Sequence, residues 1–178
     1  MTLTNERYKI EIQIDPCFTL CSVDNKPYDY LFMTEEFTRN DSNFISAVRI
    51  EVETNEQCKT VMVVAPYLSI IDNCAIIKDD SLIVFLCDTL LEIDLLSFSL
   101  RLKKKILKFW TGMAIFQFDD GYIVYGELEI VKLNKSYITE WTFCGCDIFV
   151  AFRIIDKTIF LEDLLGNKYC IDKYGKGL

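Results

Sequence analysis

Histidine is absent from this sequence of 178 residues. That absence removes Ser-His-Asp and Cys-His catalysis, imidazole proton shuttles and every histidine-containing metal site. Glycine is scarce, at seven residues. None of the seven sits in a phosphate-cradling loop, a nucleophile elbow or a dinucleotide fingerprint. Positive charge is in deficit, 19 Lys and Arg against 27 Asp and Glu, for a formal net charge of -8. Such a field repels a phosphate backbone, so no nucleic-acid partner is expected. Long apolar runs are missing too: residues 61–71 form the longest and contain Pro66, whereas a spanning helix needs about 20 residues. No cationic stretch followed by an apolar segment opens the chain, so the expectation is a cytoplasmic protein without membrane contact. These absences together weigh against a hydrolase, transferase or oxidoreductase, and the chain is expected to be no enzyme and to need no cofactor.

What is present is a large apolar fraction, 51% of positions, enough for one core and one domain over residues 1–178. The dominant period is two. Tyr8, Ile10, Ile12 and Ile14 alternate with Lys9, Glu11 and Gln13, and Val48, Ile50 and Val52 alternate with Arg49, Glu51 and Glu53, which marks half-buried strands. Residues 60–64 are continuously apolar enough for a strand buried on both faces, hairpin-paired with the preceding one. Residues 15–46, with Pro16, Pro27 and the polar run 38–43, read as irregular with one short helix over 34–37. Residues 1–70 thus hold N-terminal strands and an irregular segment.

Residues 71–178 repeat. Asp79-Asp80 precedes Leu82-Ile83-Val84-Phe85, Asp119-Asp120 precedes Tyr122-Ile123-Val124-Tyr125, and Asp156-Lys157 precedes Thr158-Ile159-Phe160-Leu161. Further strands follow at 90–95, 128–133 and 168–172, and again at 98–106 and 138–143. Three units of about forty residues result, each an antiparallel meander. Glycines fall between the strands, where turns need them.

The segments Leu91-Glu92-Ile93-Asp94, Ile138-Thr139-Glu140-Trp141, and Gly166 through Asp172 with Tyr174-Gly175-Lys176 resemble the blades of quinoprotein-like and tryptophan-aspartate-type β-propellers, over about residues 75–178. The resemblance implies an all-β fold, an open propeller-like stack of antiparallel sheets with the N-terminal strands at one end. No counterparts of that family's cofactor-binding residues are present, and three units are fewer than a closed ring uses.

The eight cysteines suit no zinc site, because Cys144-Gly145-Cys146 is too closely spaced and Cys17 and Cys21 have no second pair at ligand spacing. Cys58, Cys74, Cys87 and Cys170 sit among apolar neighbours and read as core residues. Arg101, Lys103, Lys104, Lys105 and Lys108, beside Phe109 and Trp110, read as the solvated face of an edge strand, with Phe98, Leu100 and Leu102 facing inward. Adjacent acids point to opposite faces of a strand and make no catalytic dyad by themselves. Those at equivalent turns form an edge instead: Asp79, Asp80, Asp119 and Asp120, with Glu127 and Glu129 on the strand that follows.

The reading is a binding protein whose acidic edge captures a basic partner by electrostatic steering. In size and acidity it resembles the immunity proteins that bacteria keep against basic toxins. The alternative is a small-molecule or peptide sensor with a pocket walled by Tyr122, Tyr125, Trp110 and Trp141. An exposed terminal sheet edge would also suit a homodimer. Titration in denaturant without prior reduction is expected to find eight free thiols per chain; a smaller count would reveal disulfides and an oxidising compartment.

Overall fold

A computed structural model describes residues 1–37, 45–66, 72–108 and 112–177. Among them every regular element is a strand. The first sheet contains β1 (Thr2–Thr4), β2 (Lys9–Asp15), β3 (Tyr30–Met33), β4 (Ile45–Glu53) and β5 (Cys58–Pro66), in the order β1-β2-β4-β5-β3. The second is the meander β6 (Ala75–Lys78), β7 (Ser81–Leu86), β8 (Thr89–Asp94) and β9 (Leu100–Lys105). The third is β10 (Gly112–Phe118), β11 (Gly121–Gly126), β12 (Glu129–Asn134) and β13 (Thr139–Cys144). The fourth is β14 (Phe149–Ile155), β15 (Thr158–Asp163) and β16 (Lys168–Ile171). All pairings are antiparallel except that of β3 with β5.

The all-β, antiparallel architecture expected from the period-two pattern is therefore observed. Two differences from the sequence reading stand out. Residues 34–37 hold no helix, because the chain has just left β3, whose four apolar residues pair with β5 instead of coiling. Each repeat also begins one strand earlier than its turn, with β6, β10 and β14. β14 is hidden in the sequence by a bulge between Phe149 and Ala151 that breaks its alternation. The run 38–43 lies outside the described residues.

Side-chain alternation stacks the sheets. On β7, Leu82, Val84 and Leu86 join Ile10, Val48, Ile50 and Val63 in the layer between the first and second sheets. Ile83 and Phe85, on the opposite face, join Ile115, Tyr122 and Val124 between the second and third. Ile123 and Tyr125 then turn the other way to meet Phe149, Ile159 and Leu161 between the third and fourth. Each fully buried side chain of this size contributes about 1.5–3 kcal/mol, so the layers dominate stability. Among the described residues no core cluster joins the fourth sheet back to the first. The stack is open.

The outer face of the first sheet is covered from within the chain. Phe18, Tyr28, Leu31, Met33 and Phe37 pack on Ala47, Met62 and Val64. Asp29 fastens this covering by accepting from the Thr60 amide at 2.8 Å and from Lys59 at 3.0 Å.

The second and third sheets come close together at Gly112, which bridges to Cys87. A Cβ at Gly112 would stand 1.8 Å from the Cys87 carbonyl oxygen and 2.5 Å from the Phe85 ring, whereas one at Gly177 would meet nothing within 4 Å. Gly112→Ala is expected to cost about 1–3 kcal/mol in urea unfolding through this overpacking, with Gly177→Ala close to neutral.

Candidate functional site

The first hairpin turn of each sheet projects from the same end of the stack, and this is where the acidic residues gather. In the second and third sheets the turn is a pair of aspartates, Asp79-Asp80 and Asp119-Asp120, with positive φ at the first (51° and 52°). The fourth sheet has Asp156-Lys157, positive at both (47° and 62°). Positive φ at the leading positions matches the twist of two-residue hairpins, and Asp tolerates it by local hydrogen bonding.

The paired aspartates divide into two roles. Asp80 accepts from the Tyr8 hydroxyl and from Arg7, each at 2.8 Å, joining the second sheet to the first hairpin of the first. Asp119 accepts from Lys157 of the fourth sheet, with Lys173 at 3.9 Å. The carboxyl of Asp80 is held below the usual range by the Tyr8 and Arg7 hydrogen bonds, and that of Asp119 by the Lys157 hydrogen bond. Asp79 faces solvent, and Asp120 remains 69% exposed beside Lys132 at 3.4 Å. The expected acidic edge is thus half consumed in joining neighbouring sheets.

The two remaining members lie elsewhere. Glu129 is 2% exposed and accepts from the Lys108 amide at 2.6 Å. It caps the chain leaving the second sheet and is out of reach of a partner. Glu127 is half-buried, and its carbonyl accepts from the Phe149 amide at 2.7 Å. β12 begins at the opposite end of the sheet from the Asp119-Asp120 turn, so sequence proximity to β11 had misplaced both.

The basic strand β9 also proves to be connective. Lys104 donates to the Tyr137 carbonyl of the third sheet at 2.7 Å, Lys103 to the Met33 carbonyl of the first at 3.4 Å, and Lys105 pairs with Asp88 at 2.7 Å. Leu100 faces solvent instead of the core. Phe109 and Trp110 lie outside the described residues.

The aromatic candidates do not converge. Tyr122 stacks on Tyr137 between the second and third sheets, at 5.5 Å. Tyr125 stacks on Phe152 on the other side of the same strand, at 4.5 Å. Trp141 donates from Nε1 to the Lys173 carbonyl at 3.0 Å and its ring lies against Gly175, fixing the last turn. Of the four cysteines read as core, Cys74 and Cys87 are buried and their thiols are pushed up to about 12 by burial, while Cys58 is exposed and Cys170 half-buried. Among the described residues no three Cys, Asp or Glu side chains gather as metal ligands.

Sequence reading missed a groove of about 440 Å³ beside the tips of the first two sheets. Glu6, Arg7, Glu56 and Leu96 line it. Its residues come from three separate turns, so no local pattern announces it.

One further regularity defines the repeat. Asp94 and Asn134 end the third strand of their sheets and Asp172 directly follows it, and each accepts backbone N–H groups from the turn beyond: Leu96 and Ser97, Ser136 and Ile138, Tyr174 and Lys176. Each turn also contains one left-handed residue, Phe98, Tyr137 or Gly175. The first two occupy a region L-residues avoid, offset by burying their rings against Tyr30 and Tyr122.

No protein-family model matches the chain, and no curated protein matches it. Solved structures do. The likeness is to β-propeller-like proteins. The BamB protein of Moraxella catarrhalis matches 76% of this chain with a TM-score of 0.50 and 13% identity. A computationally designed protein, Ika8, matches 80% with a TM-score of 0.53 and 10% identity. The matched region covers 46% of each of those chains, so this chain spans about half their length. At such identity the likeness is one of fold.

Because Asp80 and Asp119 are harder to protonate folded than unfolded, their contribution is complete above the unfolded carboxylate pKa of about 3.9 and is lost as pH falls below it. The melting temperature should therefore drop as pH falls from about 5 towards 3. Asp80→Asn with Asp119→Asn should flatten that slope; an unchanged slope would mean that these pairs do not hold in solution.

Proposed function

We propose that this chain is a non-catalytic binding protein that captures a basic protein partner at the hairpin-tip end of the stack, in the manner of a neutralising immunity-type protein. One observation carries the reading. Equivalent first turns of successive sheets present the outward carboxylates Glu6, Asp79, Asp120 and Asp156, while two cations of those turns, Arg7 and Lys157, are turned onto Asp80 and Asp119. A row of solvated carboxylates raises the encounter rate with a cationic surface and makes it sensitive to salt. The neighbouring groove, with its exposed Leu96, adds an apolar contact that charge alone lacks.

The repeats are read as degenerate blades of the quinoprotein-like or tryptophan-aspartate type. The recurring Asp94, Asn134 and Asp172 turns support that reading.

The test is affinity capture from lysate of the source cell at low and moderate salt, comparing wild type with Asp79→Lys/Asp120→Lys. A stoichiometric basic protein is expected, weakened by salt and by about tenfold or more in the variant. Circular dichroism and thermal melting check that the variant remains folded, because Asp79 holds a positive φ and Asp120 pairs with the buried Lys132, so a modest loss of stability without loss of the fold is expected. Recovery of a small molecule, or of no partner, would replace this reading with the sensor module.

A further inference from the structure

The fourth sheet has one face on the third and one that no described residue covers. At the centre of the uncovered face is Phe160, between Arg153 on β14 and Cys170 on β16. Ala151, Glu162 and Lys168 form the next row, and the six surround a shallow groove of about 340 Å³. The hairpin registers align Phe160 with Ile83 and Ile123, and Glu162 with Phe85 and Tyr125. At those two positions the second and third sheets bury apolar side chains against the next layer. The fourth sheet keeps the central apolar residue and replaces its neighbour with a charge.

Further apolar surface adjoins this face. Ile148, Val150, Leu164 and Leu165 are all exposed, the last two at 65% and 69%, and the Leu164 amide donates to the Ile148 carbonyl at 2.8 Å. Exposed large aliphatic side chains gathered at one end of a sheet are of the kind that marks an interaction surface.

We propose that this face packs against the same face of a second copy of the chain, forming a two-fold dimer. The charges select that occupant. Arg153 lies beside Phe160 across the strands, and Glu162 lies beside it along β15. A two-fold axis through Phe160, running between those two directions, sets Glu162 of each copy over Arg153 of the other and places the Phe160 rings together. The strands then cross steeply, a recognised mode of sheet packing. Among the described residues neither charge has a close partner: Glu162 has Lys168 at 3.9 Å, and Arg153 lies over the Phe160 ring at 5.3 Å. Opposite charges around an apolar centre, repeated by symmetry, make a self-complementary surface. A weak association is expected, which a micromolar concentration series can follow. The surface is separate from the tips proposed to hold a basic partner.

Sedimentation velocity from low to high micromolar concentration tests the proposal. Wild type should move from the 20.7 kDa of one chain towards twice that mass. Arg153→Glu and Glu162→Arg should each weaken the dimer by about tenfold or more, while Arg153→Glu/Glu162→Arg together should restore it. Phe160→Asp should abolish it. Circular dichroism and thermal melting on each variant separate loss of association from loss of folding. A wild type that stays at the mass of one chain would overturn the proposal. So would single variants that still dimerise, or a folded double variant that remains monomeric.

Discussion

The second and third sheets must bury apolar side chains on both faces, and the rest of the structure follows from that constraint. A strand such as β7, with all six residues buried, cannot be stable in a sheet exposed on one side. It requires a layer in front and a layer behind. Leu82 and Val84 find the first sheet, and Ile83 and Phe85 find the third. Every interior sheet passes the same demand to its neighbour, so the stack grows until a face can tolerate water.

The two ends meet that condition differently. At the first sheet the chain folds back over its own outer face, with Met62 and Val64 covered by Phe18, Tyr28 and Leu31. At the fourth, Glu162 and Lys168 stand on the outward face beside a half-buried Phe160. Charged outer faces on terminal units are how stacked architectures stop without aggregating. The aromatic centre retained on that face is where a second copy of the chain is proposed to pack.

Polar groups in this protein chiefly fix how the layers sit on one another. Dispersion and hydrophobic burial hold two sheets together without specifying their rotation, whereas directional bonds do. Arg7 and Tyr8 on Asp80, Lys104 on the Tyr137 carbonyl, and Lys157 on Asp119 each cross from one sheet to the next. The same anchoring decides which acids remain free. Of each aspartate pair one member turns to the adjacent sheet and the other to solvent, so the acidic surface is the remainder left by assembly.

Alternation, turn chemistry and the spacing of paired acids determined the all-β class, the antiparallel repeats from the Asp79-Asp80 turn onward and the positions of the hairpin turns, because these are local properties with a period of two. The absence of histidine determined which chemistry was unavailable. Tertiary structure alone decided the rest. β14 escaped notice because its bulge breaks the alternation, and β3 because its partner β5 lies far along the chain. Glu129 looked like surface and is interior, since the chain leaving the second sheet needs an acceptor for the Lys108 amide. Whether an aspartate is free or bound depends on cations contributed from other sheets, as Lys157 is to Asp119. Such partners are distant in sequence and meet only when apolar layers bring the sheets into contact.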